Sequence, residues 1–343
     1  MIKVLIVDDS PSLRAILTKV LELAQDIQVV GAAEDPYEAR EMIKKLNPDV
    51  LTLDIEMPRM NGLSFLKNLM RLRPMPVIML STLTQQGSPA TLEALELGAI
   101  DFIAKPTSNV AAQLHAYAET LHQKIRIARQ ANLYALRTEK DVQQAPVSQH
   151  TQFKTSAVLA LGASTGGTEA LREVLVRLPQ HCPPVVIAQH IPPVFSTSFA
   201  QRMDRICDVS VKEAEDGDVL MPGQVFIAPG DRHLKVVQKG GRLLCQLCQS
   251  EKVNRHRPSV DVLFDSLLPW AKQVSAALLT GMGSDGAPAL LRLREAGAKT
   301  LAQDEATSVV WGMPRAAVEM QAAEKVVPLS KVTMELLSAV KRP

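Results

Sequence analysis

The sequence predicts an α/β fold, built as two doubly wound parallel-sheet domains in tandem. Three observations predict it. Short, continuously apolar runs recur along the 343 residues, and most are followed by a stretch with apolar positions at helical spacing. Strands that are apolar at every position are buried on both faces, as in a parallel sheet covered by helices. The polar residues suited to chemistry fall where these runs end, which is where such sheets carry their sites. Between the halves, from about residue 128 to 155, the patterning weakens, and the polar, proline-containing stretch 143–152 reads as a linker.

Composition narrows the function classes. The chain is 46% apolar and 22% charged, as a soluble globular protein is, and is long enough for two cores. A net charge of +2 and an aromatic content of 3% argue against a nucleic-acid surface. No apolar run approaches bilayer length, so no membrane insertion is expected. The N-terminal run meets acidic residues at once and does not read as a secretory signal, which makes the cytoplasm the expected compartment. Cys245 and Cys248 have C-x-x-C spacing, but no second ligand pair with zinc spacing accompanies them. They sit in an expected strand, where residues three apart face opposite ways, so reduced cysteines without a redox role are expected.

In order, the first segment opens with Lys3-Val4-Leu5-Ile6-Val7, a strand ending in Asp8-Asp9-Ser10. A helix from about Pro11 to Ala24, a strand at Val29-Val30 and a helix around 36–46 follow. The strand Val50-Leu51-Thr52-Leu53 ends in Asp54. Next, Val77-Ile78-Met79-Leu80 ends in Ser81-Thr82, and a helix around 88–97 leads to Asp101-Phe102-Ile103-Ala104, which ends in Lys105-Pro106. A last helix covers roughly 109–129, and a helical, basic pattern continues to Arg137. Asp8, Asp9 and Asp54 thus converge beside Ser81 and Lys105. Clustered carboxylates repel one another unless a cation neutralises them. Hard oxygen ligands with open positions suit Mg²⁺, which brings a phosphate into its shell. One carboxylate can then attack phosphorus, with Lys105 neutralising the arriving phosphoryl group. The bland alternative, acids that merely cap helices or mark loops, suits a single Asp better than five such residues at matching strand ends.

On Val7-Asp8-Asp9-Ser10, on Leu53-Asp54-Ile55-Glu56-Met57-Pro58-Arg59-Met60-Asn61-Gly62 and on Lys105-Pro106, residues 2–122 resemble the response-regulator receiver domain, a flavodoxin-like fold. The resemblance implies that Asp54 accepts phosphate from a histidine kinase. It implies that Asp8, Asp9, Asp54 and the backbone carbonyl of Glu56 hold Mg²⁺, that Ser81 bonds a phosphoryl oxygen, and that Phe102 changes rotamer with it. Asn61 stands where the family frequently has Asp; both suit a tight turn. The expected division is a receiver over 1–122, an extended helix and linker over 123–153, and a second domain over 154–343.

In that second domain Ala157-Val158-Leu159-Ala160 reads as a buried strand, and the helical pattern Thr168–Leu175 follows. Between them Gly162-x-Ser164-x-Gly166 has the spacing of a nucleophile elbow. Ser164 is equally readable as a helix N-cap. A phosphate-binding loop fits less well, because no Lys follows the glycines as that motif requires. The strand Pro184–Ala188 ends in Gln189-His190, and Val274–Thr280 ends in Gly281-Met282-Gly283-Ser284-Asp285-Gly286. Alone, His190 reads as structural and Asp285 as a turn residue. Together, Ser164, His190 and Asp285 lie at the ends of three strands, where a serine, its base and the acid that orients the base can assemble. The order Ser…His…Asp differs from that of α/β-hydrolases, so that fold is not expected.

With Gly162–Gly167, Gln189-His190-Ile191-Pro192-Pro193, Ile227-Ala228-Pro229-Gly230, Val253–Asp261 and Leu279–Gly283, the whole chain resembles the chemotaxis protein-glutamate methylesterase (CheB) family: a receiver joined to a Rossmann-like methylesterase domain. The resemblance carries the triad onto Ser164, His190 and Asp285, an oxyanion-donating backbone N–H onto Met282, and a role in orienting His190 onto Thr165. Ser284 replaces a frequent Asn. No cofactor is implied for the esterase step. The implied reaction is hydrolysis of glutamate γ-methyl esters, with deamidation of glutamines, on the helical cytoplasmic domain of methyl-accepting chemoreceptors. The chemotaxis histidine kinase is the implied phosphodonor. From the architecture, the unphosphorylated receiver is expected to cover the esterase cleft. The basic loop Asn254-Arg255-His256-Arg257 reads either as an attractor of acidic receptor segments or as solvated surface, with His256 the rival to His190 as base.

Overall fold

The computed structural model describes residues 1–81, 88–106, 110–135 and 152–342. Thr82 and nearly all of the expected linker lie outside these residues. The chain divides into two compact units, Met1–Leu133 and Tyr134–Pro343.

The first unit alternates β1 (Ile2–Val7), α1 (Pro11–Glu22), β2 (Ile27–Ala33), α2 (Pro36–Leu46), β3 (Val50–Asp54), α3 (Gly62–Leu72), β4 (Val77–Ser81), α4 (Ser88–Glu96), β5 (Asp101–Ala104) and α5 (Val110–Gln130). All strand pairs are parallel, in the order β2-β1-β3-β4-β5. Local signals set the helix starts. Ser10 caps α1 and Asp35 caps α2, each followed by a proline at the first helical position. Asn47 ends α2 in the left-handed conformation. Every residue of β3 and β4 is buried. Each large apolar side chain so placed contributes roughly 1.5–3 kcal/mol. α5 stops at Gln130, short of the expected Arg137. Its last buried residue is Ala128, and without an apolar face to bury, helix propensity alone does not sustain it.

The second unit contains β6 (Val158–Ala163), α6 (Gly167–Leu175), β7 (Val185–Gln189), α7 (Pro193–Ile206), β8 (Ser210–Glu213), β9 (Gln224–Ile227), β10 (His233–Lys239), β11 (Arg242–Cys248), α8 (Val260–Ser266), a 3-10 segment (Leu268–Gln273), β12 (Val274–Leu278), α9 (Ala287–Glu295), β13 (Lys299–Gln303), α10 (Met313–Glu319), β14 (Lys325–Val327) and α11 (Leu329–Ser338). Seven strands form one parallel sheet in the order β14-β13-β12-β6-β7-β9-β8, and β10 and β11 form a separate antiparallel pair. From β6 the chain winds outward one way through β7 and the other way through β12, so β6/β12 is the topological switch point. Such a point opens a crevice at the carboxyl ends of the strands. The sheet's core packs Val260, Leu263 and Phe264 of α8 and Leu290 and Leu293 of α9 against strand residues such as Val186 and Leu278.

Candidate active site and phosphoacceptor cluster

Ser164 follows β6 directly. Its alternative role as helix cap goes to Gly166, whose φ of +75° occupies the left-handed region. The serine side chain is thereby left for chemistry. Gly162 works differently from the expected turn glycine: it lies within β6, and a Cβ there would fall 2.3 Å from Cγ1 of Val260, so its absence lets α8 pack on the strand.

His190 follows β7. Its Nδ1 lies 3.1 Å from Ser164 Oγ and its Nε2 lies 2.8 Å from Asp285 Oδ2. The side chains of His190 and Asp285 are 7% and 2% exposed, so water competes little with this relay. With Nε2–H donating to Asp285, Nδ1 presents its lone pair to the serine hydroxyl. Ser164 N–H donates to the carbonyl of Thr280 at 3.0 Å. A Cβ on Gly281 would fall 2.7 Å from Ser164 Cβ, so the backbone leading to Met282 runs beside the serine. The Thr165 carbonyl accepts from Thr280 Oγ1 at 3.0 Å, tying the elbow to the end of β12. Gln189 braces the elbow from the other side, its Nε2 donating to the Ser164 carbonyl at 2.9 Å.

Asp285 is surrounded by donors. Oδ2 also accepts from Val260 N–H (2.7 Å), and Oδ1 accepts from Ser259 Oγ (2.7 Å), Asn254 Nδ2 (2.8 Å) and Asp261 N–H (3.3 Å). Burial pushes its pKa up, but the bond to His190, that ring's charge, and the Asn254 and Ser259 bonds outweigh it, so the carboxyl sits well below the usual range. Sequence reasoning missed these partners, because 254–257 reads as a basic surface loop. The 253–261 signature, which holds Asn254, Ser259, Val260 and Asp261, is the signal that could have found them. His256, the rival base, stacks on His190 with ring centroids 3.6 Å apart and planes 8° apart.

In the first unit, ligand oxygens of Asp8, Asp9 and Asp54 all lie within 4.8 Å of one another. Lys105 Nζ stands 2.7 Å from Asp54 Oδ2 and 3.5 Å from Asp8 Oδ2. Burial raises the Asp54 pKa to about 6, against the opposing pull of Lys105. One ammonium against three carboxylates leaves negative charge uncompensated among these residues, and hard oxygen donors at this spacing fit a divalent cation such as Mg²⁺. Glu56 is exposed in the loop after β3, and its N–H donates to Asp54 Oδ1 at 3.3 Å. Ser81 Oγ, at the end of β4, is 2.6 Å from Thr91 Oγ1. Phe102 is buried in β5, with Lys124 Nζ 5.9 Å from its ring centroid. All four cysteines are free thiols, and burial raises Cys245 to about 12, away from thiolate chemistry.

The model of the CheB methylesterase family matches residues 159–336. The chain belongs to this family. The model of the response regulator receiver domain matches residues 4–118. A relative from Saccharophagus degradans named protein-glutamate methylesterase/protein-glutamine glutaminase 2 is 54% identical over 340 residues, 98% of each chain. One of the same name from Pseudomonas aeruginosa is 51% identical over 99% of this chain and 97% of its own. The crystal structure of the Thermotoga maritima CheB methylesterase catalytic domain covers 54% of this chain and 98% of its own, at 38% identity and a TM-score of 0.52. The two α/β units expected from the sequence are thus those of the family. No helix among the described residues is long and apolar enough to cross a membrane.

Proposed function

We propose that this chain hydrolyses glutamate γ-methyl esters, and deamidates glutamines, on the cytoplasmic helical domain of methyl-accepting chemoreceptors, with Ser164 as nucleophile, His190 as base and Asp285 as orienter. The observation that carries this is the hydrogen-bonded series Ser164 Oγ–His190–Asp285 at the switch point of the sheet. Ser164 Oγ attacks the side-chain carbonyl while His190 Nδ1 takes its proton. The oxyanion faces the N–H of Met282. The tetrahedral centre collapses, and methanol (ammonia, for glutamine) leaves with the proton from His190. Water then attacks the acyl-serine, with the same nitrogen as base, and glutamate is released. Asp285 keeps Nε2 protonated and stabilises the imidazolium formed in each step.

The receiver makes the reaction switchable. Asp54 is the phosphoacceptor for the chemotaxis histidine kinase; Asp8, Asp9, Asp54 and the Glu56 carbonyl would hold Mg²⁺, which would offset the negative charge that opposes transfer to a carboxylate. Lys105 and Ser81 receive the phosphoryl oxygens, and Phe102 reports the change. Phosphorylation then shifts the chain toward its more active population. The test is methanol release from methylated receptor, with and without a small phosphodonor. Ser164→Ala should abolish release while leaving Asp54 phosphorylation intact; undiminished release ends the triad assignment. Residues 152–343 alone should outpace the unphosphorylated whole chain, and equal rates remove the inhibitory role of the receiver.

A further inference from the structure

Asn254 has no place in the relay as described, yet it touches it. Residues Val253–His256 form a tight turn, with the N–H and C=O of Val253 and His256 bonded reciprocally at 2.9 and 3.1 Å. Its two central residues, Asn254 and Arg255, have φ of +51° and +69°. Both central residues at positive φ is the type I′ geometry, and Asn is among the side chains that tolerate it best. The turn points the Asn254 amide inward. Its one nitrogen lies 2.8 Å from Asp285 Oδ1 and 2.7 Å from Oδ2 of a second acid, Asp261. Asp261 is itself only 7% exposed. The other Asp261 oxygen accepts the Ala289 N–H at 2.9 Å, which fixes that carboxylate to the start of α9.

Two buried acids this close disfavour each other's charge. A primary amide carries two N–H donors and can serve both. We propose that Asn254 is a positioning residue for the esterase reaction: its amide stands between the Asp285 and Asp261 carboxylates, bonds both, and keeps Asp285 aligned and charged for His190. The direction of the titrations agrees. Burial first, and then the charge of Asp285, raise Asp261, whereas Asp285 lies well below the usual range. Of the two carboxyls, the one that faces the histidine is thus the more readily ionised.

This rests on the relay proposed above, and the test separates the two. Methanol release from methylated receptor is measured for the full chain and for Ser164→Ala, Asn254→Gly, Asn254→Asp, Asp261→Asn and Asn254→Gly/Asp261→Asn, each with its melting temperature. Glycine keeps the left-handed backbone and removes only the amide. Asn254→Gly should lower kcat about 10-fold with KM unchanged, the scale of a lost charge-assisted bond. Asn254→Asp, similar in shape but acidic, should lower kcat further. Asp261→Asn alone should also lose activity, since its new amide meets that of Asn254. In the double variant the second acid is neutral and nothing opposes its amide, so kcat should recover above that of Asn254→Gly. Additive losses, or a fall in melting temperature with kcat intact, would overturn the positioning role. An inactive Ser164→Ala beside a fully active Asn254→Gly ends this inference alone; an active Ser164→Ala removes the relay beneath it.

Discussion

The two units set buried carboxylates at the same place, beyond the carboxyl ends of parallel strands, and treat them in opposite ways. Asp54 and Asp8 sit among acids with Lys105 as their shared cation, and burial leaves both raised, Asp54 to about 6. Asp285 is just as buried but accepts from His190, Asn254, Ser259, Val260 and Asp261, and is lowered. Burial therefore does not by itself fix the charge of a carboxylate; the donors and the neighbouring charges set against it do. Under the proposed function, the underpartnered cluster is the one completed from outside, by a divalent cation and a phosphoryl group. Under the same proposal, the saturated acid stays fixed while a histidine gains and loses a proton.

The largest expected effect breaks the saturated side. Asp285→Asn offers an N–H where His190 Nε2–H needs an acceptor, so the ring is driven toward the wrong tautomer. We expect kcat for methanol release to fall about 10⁴-fold with KM little changed. A loss under 10-fold means that Asp285 does not orient the base, and the contrast between the two acids loses its functional meaning.

The sequence made the strands of the first unit, β6, β7, β11 and β12 of the second, and both sets of strand-end residues legible, because continuous apolar runs ending in Asp8, Asp54, Ser164 and His190 are local patterns; β8, β9, β10, β13 and β14, which end in no such residue, were not read as strands. The donors of Asp285 were not legible. Asn254, Ser259 and Asp261 lie on a turn and helix start about 25–30 residues before Asp285, joined to it only by the packing of α8 against β6. That packing depends on Gly162, where local reasoning sees turn freedom and the fold uses an absent Cβ. Asn254 and Arg255 show the same limit. A basic, polar string reads as solvated loop, and the positive φ that turns Asn254 inward is a backbone property with no composition signal.

An intermediate effect concerns stability, and its sign differs between the two acids. Asp54 titrates at about 6 in the fold and near 3.9 in an unfolded chain. The folded state binds that proton more tightly, so stability falls as pH rises from about 4 to about 6 and stays lower above. A shift of about 2 units corresponds to roughly 3 kcal/mol. Asp54→Asn should therefore raise the receiver melting temperature at pH 7.5 and flatten its pH dependence between 4 and 6. Asp285, lowered in the fold, contributes stability above its unfolded pKa that is lost as pH falls, so Asp285→Asn should lower the melting temperature of the second unit at pH 7.5. Millimolar Mg²⁺ should raise the receiver melting temperature in the parent chain and much less in Asp54→Asn. Calorimetry decides both, and shifts of the same sign for the two acids would refute the contrast.

The smallest effect asks whether hydrogen bonds alone orient the relay. Donors fix Asp285, and Asp285 and the Ser164 hydroxyl engage the two nitrogens of His190, but bonds at the two nitrogens leave the ring free to tilt about the line that joins them. His256 supplies the missing restraint: its ring lies 3.6 Å from that of His190 at 8°, which fixes the plane in which Nδ1 faces Ser164. Stacked rings contribute about 0.5–1.5 kcal/mol, so His256→Ala should lower kcat roughly 2- to 10-fold. His256→Phe keeps a flat face and no titrating nitrogen, and should restore most of the loss. If Phe performs no better than Ala, the contribution of His256 is a polar one. The saturation of Asp285 would then extend through a second histidine, and the plane of His190 would be set by hydrogen bonds on both of its sides.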